Sequence, residues 1–142
     1  MKEKTVVFIG HNDIMDLDYG LLEKEIIGLI ESGYNKFFSG GMGGFDRTAS
    51  GIIYKLKRKY PYIKNVLVIP YINFNIYDKS VFDEIIIPEK IEGLPYKASI
   101  IHRNRYMVDN SCVALCYIRY TFGGASKTFE YAKKKEIRII LV

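Results

Sequence analysis

The residues best placed to do chemistry form a glycine-dense stretch, Ser39-Gly40-Gly41-Met42-Gly43-Gly44-Phe45-Asp46. It follows the short apolar run Phe37-Phe38 and precedes a segment with helical spacing. Glycine loses more conformational freedom on folding than any other residue. Glycines at 40, 41, 43 and 44 therefore imply a close approach to the backbone or a need for positive φ. A glycine turn from strand to helix also aims free N–H groups and the positive end of the helix dipole at one point, which suits a phosphate. The alternative is a tight connection that only lets strand and helix pack. Asp46, beside the glycines, would accept a hydrogen bond from a ribose hydroxyl or cap the helix at Thr48-Ala49. His11, after Gly10, would touch a ligand or hold its loop.

Two common phosphate loops can be tested directly. A P-loop needs Gly-x-x-x-x-Gly-Lys-Ser/Thr, and residues 39–48 contain no lysine. The dinucleotide fingerprint needs Gly-x-Gly-x-x-Gly after the first strand. Here Gly41-Met42-Gly43 would require glycine at Asp46, and the turn follows the second strand. Both patterns fail.

The elements that must position these residues alternate along the chain. Thr5-Val6-Val7-Phe8-Ile9 is β-branched and continuously apolar, as in a strand buried on both faces. Residues 21–30 have helical spacing and stop near Ser32-Gly33. After the strand at Phe37-Phe38 come a helix over 49–60, ended by Pro61, and a strand over 66–69. Residues 71–83 are aromatic and irregular, with Tyr71 and Phe74 either sandwiching a base or covering the core. A short strand over 84–87, a loop over 88–98, a helix over 101–110 and a strand over 113–117 follow. The chain closes with a loop over 119–126, a helix over 127–135 and a last buried strand over 137–142. This order predicts a single domain, 1–142: an α/β three-layer sandwich with a mostly parallel central sheet. Ligands in such sheets sit beyond the carboxyl ends of the strands. The loops at Gly10-His11-Asn12, 39–46, Pro70-Tyr71 and Phe122-Gly123-Gly124 all follow strands, so they share that edge.

Composition narrows the classes. The chain has 142 residues, 49% hydrophobic and 26% charged, ordinary for a soluble domain. No apolar run approaches a membrane span, and Met1-Lys2-Glu3-Lys4 leads straight into a strand-like run rather than a signal peptide. Cytoplasmic location is the expectation. Cys112 and Cys116 are the only cysteines and lie in an apolar run, so no metal or cofactor is expected. A net charge of +5 favours anionic partners weakly. The lysine clusters at 55–59 and 133–135 read as solvated helix ends, with nucleic-acid binding as the minority reading.

Four motifs occur in one order: Gly10-His11; Ser39 to Asp46; Arg103-Asn104-Arg105-Tyr106-Met107-Val108-Asp109; and Gly123-Gly124-Ala125-Ser126-Lys127-Thr128-Phe129-Glu130. The set resembles the YpsA-like branch of the SLOG superfamily, the Rossmann-like group that also holds DprA/Smf and the Lonely Guy phosphoribohydrolases. The resemblance runs from Val6 to Val142. It implies a domain that binds a nucleotide or nucleotide-derived ligand, often as a homodimer. Carried over residue by residue, the binding candidates are Gly10, His11, Ser39, Gly40, Gly41, Met42, Gly43, Gly44, Asp46, Arg103, Asn104, Gly123, Gly124, Ala125, Ser126 and Thr128.

The Lonely Guy signature Pro-Gly-Gly-x-Gly-Thr-x-x-Glu, with an arginine four residues before a methionine, places its paired glycines on Gly123 and Gly124, its glutamate on Glu130 and its arginine on Arg103. Those enzymes split the N-glycosidic bond of a nucleoside monophosphate. By that resemblance Glu130 would stabilise an oxocarbenium-like transition state or position water, and Arg103 would hold phosphate. The plain alternatives are a helix-dipole glutamate and an ion pair between Arg103 and Asp109. Phe122 stands where that signature has proline, Ser126 where it has glycine and Lys127 where it has threonine. Asn12 replaces the arginine that commonly follows Gly-His in the YpsA-like branch. Ligand binding or sensing is the leading expectation, N-glycosidic hydrolysis the alternative, and DprA-like nucleic-acid binding the third.

Overall fold

A computed structural model describes residues 2–142; Met1, the first residue of the expected domain, lies outside them. Six strands form one sheet: β1 (Thr5–Gly10), β2 (Lys36–Ser39), β3 (Lys64–Val68), β4 (Glu84–Ile86), β5 (Val113–Tyr117) and β6 (Arg138–Leu141). Every pairing is parallel, in the order β4-β3-β2-β1-β5-β6. Successive side chains of a strand point to opposite faces, and each face here has its own core. Val6, Phe8, Phe37, Leu115 and Tyr117 pack against α1 (Tyr19–Glu31) and α2 (Gly44–Leu56). Val7, Ile9, Phe38, Ala114 and Cys116 pack under α3 (Tyr96–Asp109) and α4 (Gly124–Lys134). This is the Rossmann-like three-layer sandwich.

The element boundaries differ from the sequence reading where glycine or proline opens a helix. α2 begins at Gly44, not near Ala49, because Gly43 (φ 94°) turns the chain and Asn12 and His11 satisfy its first two N–H groups. α4 begins at Gly124 and α3 at Tyr96, directly after Gly123 and Pro95. The last strand, expected to be buried, is an edge: Arg138 and Leu141 are exposed because β6 has a neighbour on one side only. In place of a crossover helix, the aromatic segment between β3 and β4 holds the one-turn helix Lys79–Val81, capped by Asp78.

Candidate functional site

From β1 the chain winds outward through β2, β3 and β4, then crosses back to β5 on the other side of β1. The two directions part between β1 and β5, and a crevice opens at that switch point. The crevice is a cleft of about 390 Å³, walled by the loop after β1, by α3 and by the start of α4.

The glycine stretch turns inward rather than toward a ligand. Asp46, at the third position of α2 and 8% exposed, accepts hydrogen bonds on Oδ2 from the N–H groups of Gly40 (3.2 Å) and Met42 (3.3 Å). It therefore caps its own preceding loop and not the helix at Thr48-Ala49. Gly44 N–H donates to both the carbonyl and the side-chain oxygen of Asn12, and Phe45 N–H to the carbonyl of His11. The first two N–H groups a phosphate would use at this helix end are thus taken by the chain. The glycines are steric necessities: a Cβ at Gly44 would meet the Asn12 oxygen at 2.3 Å, one at Gly41 would meet Leu67 at 2.7 Å, and one at Gly10 the Phe45 ring at 2.3 Å. Packing requires them. Gly10, Met42 and Asp46 still line the cleft. Ser39 is fully buried at the end of β2, outside the lining, with its hydroxyl unpartnered.

Arg103 is 2% exposed and ties α3 to this loop. Its Nη1 donates to the carbonyls of Gly40 and Val68 (2.8 Å each), its Nε to Asn104 Oδ1 (2.8 Å), and its Nη2 lies 3.1 Å from Met42 Sδ. The alternative ion pair with Asp109 does not form; Asp109 accepts from the Tyr131 hydroxyl and lies 3.7 Å from Lys135 instead. Burial lowers the Arg103 pKa to about 10, opposed by Asp46, so the side chain stays charged at neutral pH. Burial likewise raises the Asp46 carboxyl to about 6, against the pull of Arg103 and of the two N–H donors.

The second glycine turn is built differently. Gly123 (φ 93°) is the N-cap of α4 and makes no side-chain cap bond. The first helical bond runs from Lys127 N–H to the Gly123 carbonyl. Among the described residues nothing accepts from the N–H groups of Gly124, Ala125 and Ser126. A Cβ at Gly123 or Gly124 meets nothing within 4 Å. Gly123, Gly124, Ala125 and Thr128 line the cleft; the Thr128 hydroxyl donates to the Gly124 carbonyl, and Ser126 holds the Tyr120 carbonyl from outside the lining. Asn104 lines both the cleft and an adjoining groove of about 450 Å³ between α3 and α4, where Lys97, Arg105 and Lys127 stand. His11, 4% exposed, stacks on Tyr120 (3.7 Å between ring centroids), and its Nε2 has no partner. Burial and the neighbouring Arg119 lower its basicity.

Glu130, the candidate catalytic carboxylate, lies off the cleft lining by the helix geometry. Two residues beyond Thr128 is about 200° around a helix, so Glu130 faces away from the cleft. Its side chain is 66% exposed and pairs with Lys133 at 3.0 Å. Tyr71 and Phe74 form no base sandwich: their rings meet edge to face at 69°. Cys116 is fully buried and its thiol is pushed up to about 12, a packing residue. No group of three His, Cys, Asp or Glu side chains is arranged for a metal among the described residues. Sequence reasoning missed Tyr120 as a cleft residue and Asn12 as the residue that closes the start of α2. The signal for Asn12 was slight, a polar residue after Gly-His, because its partner lies 32 residues away.

Residues 10–138 match the model of a family described as the YspA SLOG family. The chain belongs to this family. The SPbeta prophage-derived protein YoqJ of Bacillus subtilis (strain 168) is similar, 30% identical with 70% of each chain covered. Among solved structures, DNA processing protein A from Helicobacter pylori, which has a single-stranded DNA binding mode, matches with a TM-score of 0.70. The two are 18% identical over 99% of this chain and 65% of that one. DNA processing protein A from Streptococcus pneumoniae matches with a TM-score of 0.70 and 19% identity over 99% of this chain and 50% of that one. At such identities the likeness is one of fold, and this SLOG chain spans only those shares of their length.

Proposed function

We propose that this SLOG domain binds or senses a nucleotide or nucleotide-derived ligand in the β1/β5 cleft, with a phosphate at the start of α4. The single observation that carries this reading is the open helix end at Gly124-Ala125-Ser126, whose N–H groups are spent on nothing among the described residues. The positive end of the α4 dipole adds to their pull on an anion. His11, a lining residue whose buried Nε2 has no hydrogen-bond partner, supports a ligand there as well.

The hydrolase alternative lacks its carboxylate, since Glu130 points to solvent and Asp46 is the sole acid among the described residues lining the cleft. One observation favours nucleic acid as a second reading: the fold likeness to DNA processing protein A. That reading is weighed below by its salt dependence.

Thermal unfolding with nucleoside monophosphates and NAD-like compounds tests the proposal. A ligand at about a hundred times its Kd should raise the Tm by roughly 5–10 °C. Gly124→Val puts a side chain into empty space at the cleft, so it should leave the unliganded Tm within a few degrees and remove the ligand-induced rise. An undiminished rise in that variant would place the ligand elsewhere. Release of free base during incubation would restore the hydrolase reading.

A further inference from the structure

Phe122 is an apolar side chain in an unusual position. It is 70% exposed, lines the cleft and immediately precedes the N-cap of α4. One face of its ring stacks on Tyr120, at 4.4 Å between centroids and 25° between planes. Tyr120 in turn stacks on His11 at 3.7 Å and 15°. His11 is buried and packs edge to face against Tyr117, a core residue of β5. The three rings thus form a column anchored in the core and ending in open space at the mouth of the cleft.

What sets Phe122 apart from other exposed apolar side chains is its place at the mouth of the cleft, with one ring face backed by Tyr120 and the other open to a flat partner. The loop could have hidden Phe122 by turning inward, yet Ser126 fixes that loop by donating to the Tyr120 carbonyl. Backing by Tyr120 leaves the Phe122 ring little freedom to lose when a partner stacks on it, and pre-ordered groups bind at lower entropic cost. A nucleobase is planar, and every base has a π-face that such a ring accepts.

We propose that the nucleobase of the ligand stacks on Phe122 as the next member of the His11–Tyr120–Phe122 column, while its phosphate meets the start of α4. This rests on the reading of the cleft given above and adds how the base is recognised. Recognition through the ring face admits purines and pyrimidines alike, with purines favoured by their larger stacking area. Phe122 is then the residue that separates nucleotides from plain sugar phosphates.

The test compares adenosine monophosphate, ribose phosphate and inorganic phosphate, titrated calorimetrically into the native protein and Phe122→Ala. Loss of the stack should weaken adenosine monophosphate by roughly 5- to 150-fold and leave ribose phosphate unchanged. The chain contains no tryptophan, so Phe122→Trp supplies a single reporter at the platform. Its emission should be quenched by adenosine monophosphate and not by ribose phosphate. Full nucleotide affinity in Phe122→Ala, or unquenched emission at saturating nucleotide, would overturn the platform while the phosphate site stands. An equal loss for ribose phosphate would also overturn it, as a sign of structural damage. If the native protein binds none of the three, the reading of the cleft falls and the platform with it.

Discussion

Asp46 and Arg103 meet the glycine loop from opposite sides, one taking its N–H groups and the other its carbonyl. Each is a charged group in a nearly dry place, where an unsatisfied ion is costly. The carboxyl is favoured neutral by the fold, since its folded pKa of about 6 lies above the ordinary 3.8. The folded state therefore holds its proton over a pH range where the unfolded chain has released it. Its contribution to stability is complete below about pH 4 and is lost as pH rises toward about 6. Asp46→Asn keeps an acceptor for Gly40 and Met42 but does not titrate. We expect the stability of the native protein, measured against Asp46→Asn by urea unfolding, to fall by up to about 3 kcal/mol between about pH 4 and about pH 7. A flat or rising difference would mean that Arg103 and the two N–H donors outweigh burial.

The two glycine turns are the instructive pair among the elements. Gly43-Gly44 and Gly123-Gly124 each follow a strand and open a helix, with nearly identical N-cap torsions, φ 94° and 93°. In sequence they are equivalent candidates for an anion. What distinguishes them is the loop after β1, which reaches α2 through Asn12 and His11 and leaves α4 open. Asn12→Ala should accordingly act on stability alone. Removing its side-chain acceptor from Gly44 should cost about 0.5–1 kcal/mol in urea unfolding, at the low end for a cap because the Asn12 carbonyl remains. The nucleotide-induced rise in Tm should be retained, in contrast to Gly124→Val. Loss of that rise in Asn12→Ala would return the ligand to the first turn.

For the whole molecule, the net charge of +5 is diffuse. Lys57, Lys64, Lys133 and Lys135 each face a carboxylate, so the clusters read as solvated ends are partly neutralised. Any single-stranded DNA binding should therefore be weak and mostly electrostatic, vanishing between about 50 mM and about 200 mM salt. The nucleotide-induced Tm rise should persist across that range. DNA affinity that survives about 200 mM salt would favour the nucleic-acid reading. Much of the architecture was legible without coordinates. The β-branched run at 5–9 predicted a strand buried on both faces of a parallel sheet, and the apolar runs at 66–69 and 113–117 predicted further strands. The ordered motifs around Gly10-His11, Arg103 and Gly123-Gly124 implied the family. By itself the sequence determined the sheet and the edge that carries the loops. Which glycine turn stays open, which way Glu130 points and what Arg103 holds were decided by tertiary structure. Those depend on contacts between segments far apart in the chain, Asn12 with Gly44 and Arg103 with Gly40, and no local pattern encodes them.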